Sequence, residues 1–179
     1  LAFKLIDQAS EMNVPSMKFN WRGEPLLNPQ LPEIVKYAKS KGILETIINS
    51  NVTELDESLG KKIISSGLDL IICSFDGGTK KSYEEMRPGR FKKNRFEKVI
   101  DNIKNFSNLK KKMGSVFPRT KIQMVLTKDT REEVDNFFEL FSEIVDDVTV
   151  TQYNERGGNI DDLTEDQKEK IKTYLSKNN

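Results

Sequence analysis

The chain has 179 residues, of which 36% are hydrophobic and 32% charged, with a formal net charge of +1. That length suits one domain with its own core, and the charge balance gives no argument for a nucleic acid, membrane or polyanion partner. With no histidine and a single cysteine, Cys73, it excludes histidine-based acid–base catalysis, a Ser-His-Asp triad, ordinary zinc sites, an internal disulfide and an iron–sulfur cluster ligated within these residues.

Leu5, Ile6, Ala9 and Met12 fall at helical spacing, and Ser16 to Trp21 then reads as a strand. Leu31, Ile34, Val35 and Ala38 repeat at helical spacing up to Gly42, where a helix should stop. Thr46-Ile47-Ile48 is the next strand, followed by a helix through Leu55, Leu59 and Ile63 that ends near Gly67. Leu70 to Cys73 is continuously apolar, as a parallel strand covered on both faces should be. A long helix carries Phe96, Val99, Ile100 and Ile103, and Lys121 to Thr127 forms a fourth strand.

Thr130 to Glu133 reads as a capping box opening a helix with Val134, Phe137, Phe138 and Phe141. Asp147 to Tyr153 is a fifth strand, and Thr164 to Gln167 a second capping box for a last helix reaching about Leu175. Helix and strand alternate, which predicts right-handed crossovers and a parallel sheet. The softest points are Gly89 to Asn94 and Arg156 to Asp162, and Lys110-Lys111-Lys112 reads as a solvated helix face or loop. The pattern opens on a helix, so either no strand precedes it or one lies upstream of Leu1.

In such a sheet the carboxyl ends of successive strands converge on one crevice. Here those ends are polar: Asn20 to Glu24, Asn49-Ser50-Asn51, Ser74 with Asp76-Gly77-Gly78, and Gln152-Tyr153-Asn154. Glu24 could accept hydrogen bonds from an ammonium, Ser50, Asn51 and Ser74 could bond hydroxyls or a carboxylate, and Arg87 could pair a carboxylate. Each also has a plainer use. Gly23 and Asn51 can be turn residues, Glu24 a solvated loop acid, Ser74 a cap for Gly77 or the next helix, and Arg87-Pro88-Gly89 a helix stop. Cys73, among isoleucines, is expected to be a buried small hydrophobe.

Taken in order, these segments resemble the core of radical S-adenosylmethionine (radical SAM) enzymes, especially the branch with a cysteine-rich SPASM extension. The family's Gly-Gly-Glu-Pro run is matched by Arg22-Gly23-Glu24-Pro25, and its Thr-Asn-Gly-Thr-like strand end by Ser50-Asn51-Val52-Thr53. Its Ser-Leu-Asp-Gly end and Arg-Pro-Gly-like turn are matched by Ser74-Phe75-Asp76-Gly77 and Arg87-Pro88-Gly89. Arg22 and Val52 stand where glycines are usual, and the Cys-x3-Cys-x2-Cys loop of the family's [4Fe-4S] cluster is absent.

The resemblance implies an α/β fold, a partial (β/α) barrel in which this chain supplies strands two to six of six parallel strands. Residues 1–160 would be a truncated core and 161–179 a helix leading to a missing extension. It implies that Gly23 and Glu24 hold the methionyl ammonium of S-adenosylmethionine, with Ser74 at its ribose or carboxylate end and Arg87 as carboxylate partner. Asn51 would line the same cavity, Val125 or Leu126 would lie against the adenine, and Gln123 and Gln152 would face the substrate.

With its cluster, a parent enzyme would cleave S-adenosylmethionine to a 5′-deoxyadenosyl radical that abstracts hydrogen from a small-molecule or peptide substrate. A flavodoxin or ferredoxin would supply the electron. The chain alone is expected to be inactive, cytoplasmic, and prone to dimerise through an unpaired sheet edge. The alternatives are a non-redox α/β nucleotide-binding module and a protein-interaction scaffold whose polar strand ends are merely solvated.

Overall fold

The computed structural model describes residues 1–20, 23–88 and 95–152. Its strands are β1 (Ser16–Lys18), β2 (Glu45–Ser50), β3 (Leu70–Ser74), β4 (Arg119–Leu126) and β5 (Asp147–Gln152). They form one five-stranded sheet in the order β1-β2-β3-β4-β5, every pairing parallel. The helices are α1 (Ala2–Glu11), α2 (Leu31–Ser40), α3 (Glu57–Ser65), α4 (Lys80–Met86), α5 (Phe96–Lys112) and α6 (Val134–Phe141). Short 3-10 turns at Pro25–Leu27 and Arg131–Glu133 follow β1 and β4. Sheet order thus follows chain order, as in a barrel wall.

Side chains alternate across a strand, and partners in register share a face. Ile48, Ser50, Ile71, Cys73, Ile122, Met124 and Leu126 are buried on one face, with Ile48 in register with Ile71 and Ser50, Cys73 and Ile122 in register across three strands. Together with Val35, Ile63, Val99, Ile103, Phe137 and Phe141 they form the main core. Phe75 continues that face beyond β3. It stacks on Tyr83 at 4.0 Å and meets Phe141 edge-on at 4.9 Å, which anchors the loop between β3 and α4. The opposite face carries Ile47, Asn49, Leu70, Ile72, Ser74, Lys121, Gln123, Val125, Thr149 and Thr151, all of intermediate exposure. We call this the open face.

At the amino ends of the strands, two aspartates make the same clamp. Asp69 accepts from the Thr46 N–H at 2.7 Å, from Thr46 Oγ1 at 2.8 Å and from Lys39 Nζ at 2.9 Å. Asp146 accepts from the Thr120 N–H and Oγ1, both at 2.7 Å, and from Lys110 Nζ at 2.9 Å. Each aspartate immediately precedes a strand, each threonine is the second residue of the neighbouring strand, and each lysine sits in the last turn of a helix. Burial raises the Asp146 carboxyl, but the Lys110 and Thr120 hydrogen bonds outweigh it and hold the pKa at about 2.

The helical and strand pattern of the sequence is met, with these corrections. Lys110 is buried, because Asp146 pairs it against β4, and so is not part of a solvated basic run. No capping box forms at Thr130. Its hydroxyl accepts the Thr127 N–H at 3.0 Å, Glu133 reaches to the β3–α4 loop, and α6 starts at Val134. A capping box does form at the start of α4, between Thr79 and Ser82, so the cap of that helix is Thr79 and not Ser74. On α1 only Ile6 is buried, while Leu5 and Met12 are 50% and 76% exposed. The last helix, its capping box, Trp21, Arg22, Gly89–Asn94 and Tyr153 onward lie outside the described residues.

Candidate functional site

At the carboxyl end of β1, Gly23 adopts φ +88°, which turns the chain where a side chain would be strained. The turn aims Glu24 back at the end of β2. Glu24 Oε1 accepts from Ser50 Oγ at 2.6 Å and from the Leu26 N–H at 3.1 Å, and Oε2 accepts the Asn51 N–H at 2.8 Å. Its carboxylate is therefore a strap between two strand tips that also caps the Pro25–Leu27 turn. Ser50 Oγ in turn accepts the Val52 N–H at 2.9 Å.

Asn51 Oδ1 accepts from the Thr53 N–H at 3.1 Å and Oγ1 at 2.8 Å, and the Asn102 amide donates to the carbonyls of Val52 and Thr53. Val52, where the family has glycine, keeps a left-handed φ of +51° with its side chain wholly buried. A β-branched residue in that region is strained, so the surrounding bonds must hold it there.

The open face at these tips carries Asn49, Ser74 and Gln123. Asn49 is in register with Ile72, one rung below Ser74, and Ser74 is in register with Gln123. The Asn49 N–H donates to Asn20 Oδ1 at 3.1 Å, whereas Asn49 Oδ1 is buried and has no hydrogen-bond partner among the described residues. A buried acceptor without a donor costs roughly 1–3 kcal/mol, so an added donor, whether a water or a ligand N–H or O–H, would be favoured there. Asn49 belongs to the polar strand ends of the sequence, where the family motif points instead to Asn51. The signal for Asn49 was the β2 alternation, in which Thr46, Ile48 and Ser50 face the core. Gln123 Nε2 donates to Thr151 Oγ1 at 3.2 Å, so the polar row continues onto β5. Beside β1, a cleft of about 470 Å³ is lined by Lys18, Asn20, Gly23, Glu24, Asn28 and the start of α2.

At the β3 tip, Asp76 replaces a ladder bond. Its Oδ1 accepts the Val125 N–H at 2.8 Å, and its Oδ2 accepts from Arg87 Nε at 2.7 Å and Nη2 at 2.6 Å. Arg87, at the far end of α4, is thus brought back over the β3–β4 tips. Glu133 closes the same loop by accepting the Gly78 N–H at 2.7 Å and the hydroxyls of Thr79 and Ser82. Burial raises the Glu133 carboxyl, yet those hydrogen bonds leave it below the usual carboxylate range. Gly77 is at φ +116°, and a Cβ on Gly78 would collide with the Glu133 carbonyl.

Glu24, Asn51, Ser74, Arg87 and Gln123 therefore gather at the same end of the sheet. Two other expected residues do not join them through their side chains. Leu126 is 5% exposed and packed in the core, because alternation puts Val125, not Leu126, on the open face. Gln152 is in register with Leu126 and so shares its face, leaving Thr149 and Thr151 as the open-face residues of β5.

Cys73 is in register with Ser50 on the covered face, and burial, with a smaller push from Glu24, raises its thiol to about 12. Among the described residues no group of three or more His, Cys, Asp or Glu side chains is placed to hold a metal ion. The residues of this chain do not fit a [4Fe-4S] cluster. They do fit a nucleoside with donor groups, through the unmet Asn49 acceptor and the polar row around it.

Fold and site together define a barrel-wall α/β protein whose polar side chains gather at the carboxyl ends of its strands. The sequence matches the Radical SAM superfamily over residues 22–141, and the chain belongs to that superfamily, a family of enzymes. Among curated relatives, the Fe-coproporphyrin III synthase of Methanosarcina barkeri is 36% identical over 73 residues, covering 41% of this chain and 18% of that protein. The PqqA peptide cyclase of Granulibacter bethesdensis is 35% identical over 72 residues, 40% of this chain and 19% of its own length. The chain thus spans about a fifth of these relatives.

Among solved structures, Streptococcus suis SuiB bound to S-adenosylmethionine superposes with a TM-score of 0.71 at 20% identity, over 98% of this chain and 38% of that one. Relatives of the SPASM type, PqqA cyclase and SuiB, are therefore among the matches. The five parallel strands with their helices fit a partial radical SAM barrel. No described helix is long and apolar enough to cross a membrane.

Proposed function

We propose that this chain is the S-adenosylmethionine-holding part of a radical SAM oxidoreductase, with the cofactor lying across the open face at the strand tips. The buried Asn49 Oδ1, which lacks a donor, is the observation that carries this reading. The main chain at Gly23 and the Asn49 amide oxygen would receive the cofactor's donor groups. Ser74 and Arg87 would meet its ribose and carboxylate, the main chain of Val125 and Leu126 its adenine, and Gln123 with Thr151 would face the substrate.

Glu24 and Asn51 serve as the strap and the turn that keep the β2 tip in place. S-adenosylmethionine supplies, in this family, a 5′-deoxyadenosyl radical for hydrogen abstraction; the electron that frees it comes through a [4Fe-4S] cluster, whose ligands these residues lack. The chain by itself is accordingly inactive. A peptide or small-molecule substrate, a flavodoxin or ferredoxin donor, a cytoplasmic setting and self-association through the β1 edge belong to the same reading.

The test is calorimetric titration of S-adenosylmethionine into the wild-type chain and into Asn49→Leu, with thermal melts to show that both are folded. The reading expects saturable heat from the wild type and at least about tenfold weaker binding in the variant, the size of one polar contact. No heat from the folded wild type would leave a protein-contact scaffold in its place. Equal affinities would send the ligand elsewhere.

A further inference from the structure

Asp76 is buried, 9% exposed, at the β3 tip, and its two carboxylate oxygens do different work. Oδ1 takes the Val125 N–H at 2.8 Å, which holds the β4 tip where the backbone ladder ends. Oδ2 takes both Nε and Nη2 of Arg87, at 2.7 and 2.6 Å, and so fixes the plane of the guanidinium. An arginine gripped along one edge by a carboxylate is oriented before any ligand arrives, and its planar fork is suited to a second carboxylate. Without Asp76, the C-cap of α4 would leave a long side chain to find that orientation at an entropic cost.

We infer that Asp76 is a positioning residue for cofactor recognition, which sets Arg87 to read the amino-acid end of S-adenosylmethionine. This rests on the proposed function, and it makes a finer statement: the pair discriminates between nucleosides with and without a carboxylate. Two further features support a role beyond stability. The β3 tip is already held by Phe75 in the aromatic core, and the α4 start is held by Glu133. The β3–α4 loop thus has anchors besides the Arg87 contact.

Asp76→Asn separates the two functions, because an amide oxygen still accepts the Val125 N–H while its NH₂ cannot accept from Arg87. The probes are S-adenosylmethionine and 5′-methylthioadenosine, which keeps adenine, ribose and sulfur but lacks the amino-acid moiety. Asp76→Asn is expected to weaken S-adenosylmethionine about tenfold and leave methylthioadenosine unchanged. Arg87→Gln should show the same selective loss, and the double variant should lose no more than either alone.

If the wild type binds neither probe, the site reading itself fails and this inference with it. If the wild type binds both and Asp76→Asn weakens both alike, or neither, the site stands and the positioning role is wrong. A fully additive double variant would also overturn it.

Discussion

The two ends of the sheet use carboxylates in different ways. At the amino ends, Asp69 and Asp146 each join a strand threonine to a helix lysine, and every partner is supplied by the protein. At the carboxyl ends, Glu24 and Glu133 grip main-chain N–H groups of loops and Asp76 that of Val125 at the end of β4, while Asn49 Oδ1 has no partner among the described residues. The first end is closed and stabilising. The second is held rigid around an open position, the division of labour expected of barrel-like parallel sheets.

The largest effect should come from breaking the loop at the functional end. Gly78→Ala drives a methyl group into the Glu133 backbone and should cost roughly 3 kcal/mol or more, with the soluble yield falling accordingly. Asp146→Ala attacks the other end. It strands the buried Lys110 ammonium and should lower stability in urea by about 3 kcal/mol, yet leave ligand affinity in the surviving folded protein unchanged. A loss of affinity there would blur the contrast between the two ends.

Glu24→Gln should be milder, about 2 kcal/mol, because one oxygen must serve donors that two now share. Unlike Asp146→Ala, it should also weaken nucleoside binding, since the β2 tip loosens.

Acid should dissolve both ends. The Asp146 carboxyl is depressed from 3.8 to about 2, so its stabilising contribution, about 2 kcal/mol, is complete above pH 4 and is lost as pH falls toward 2. Glu133, also depressed, loses its contribution in the same direction. Asp146→Asn should flatten the fall in melting temperature between pH 4 and pH 2. The smallest effect is at Val52. Val52→Gly releases left-handed strain but removes a fully buried side chain, and the balance should be a loss of about 1 kcal/mol.

Much of the architecture was legible because strand runs and amphipathic helices alternate without ambiguity, and Leu31, Ile34, Val35 and Ala38 bury as their spacing requires. The tips were legible as polar runs, and the radical SAM motifs placed them in order. What escaped was which residue of a run points where. Asn49 and Asn51 are two apart on the same chain, yet one sits on β2 facing the open side and the other lies past the strand end in an Asx turn. Leu126 and Gln152 share the covered face, and the residues one position earlier, Val125 and Thr151, share the open one, so a single residue decides the face. The Glu133 reach to Gly78 spans 55 residues and competes with a local capping box, a choice that only tertiary packing decides.

The proposed ligand site lies at the carboxyl ends of the strands. Amide hydrogen exchange of the whole chain, with and without saturating S-adenosylmethionine, tests it most directly. Protection should appear at residues 23–27, 49–53, 74–79 and 123–127. Protection confined instead to the cleft of about 600 Å³ between α3 and α5, around Leu55, Asn102 and Leu109, would contradict it.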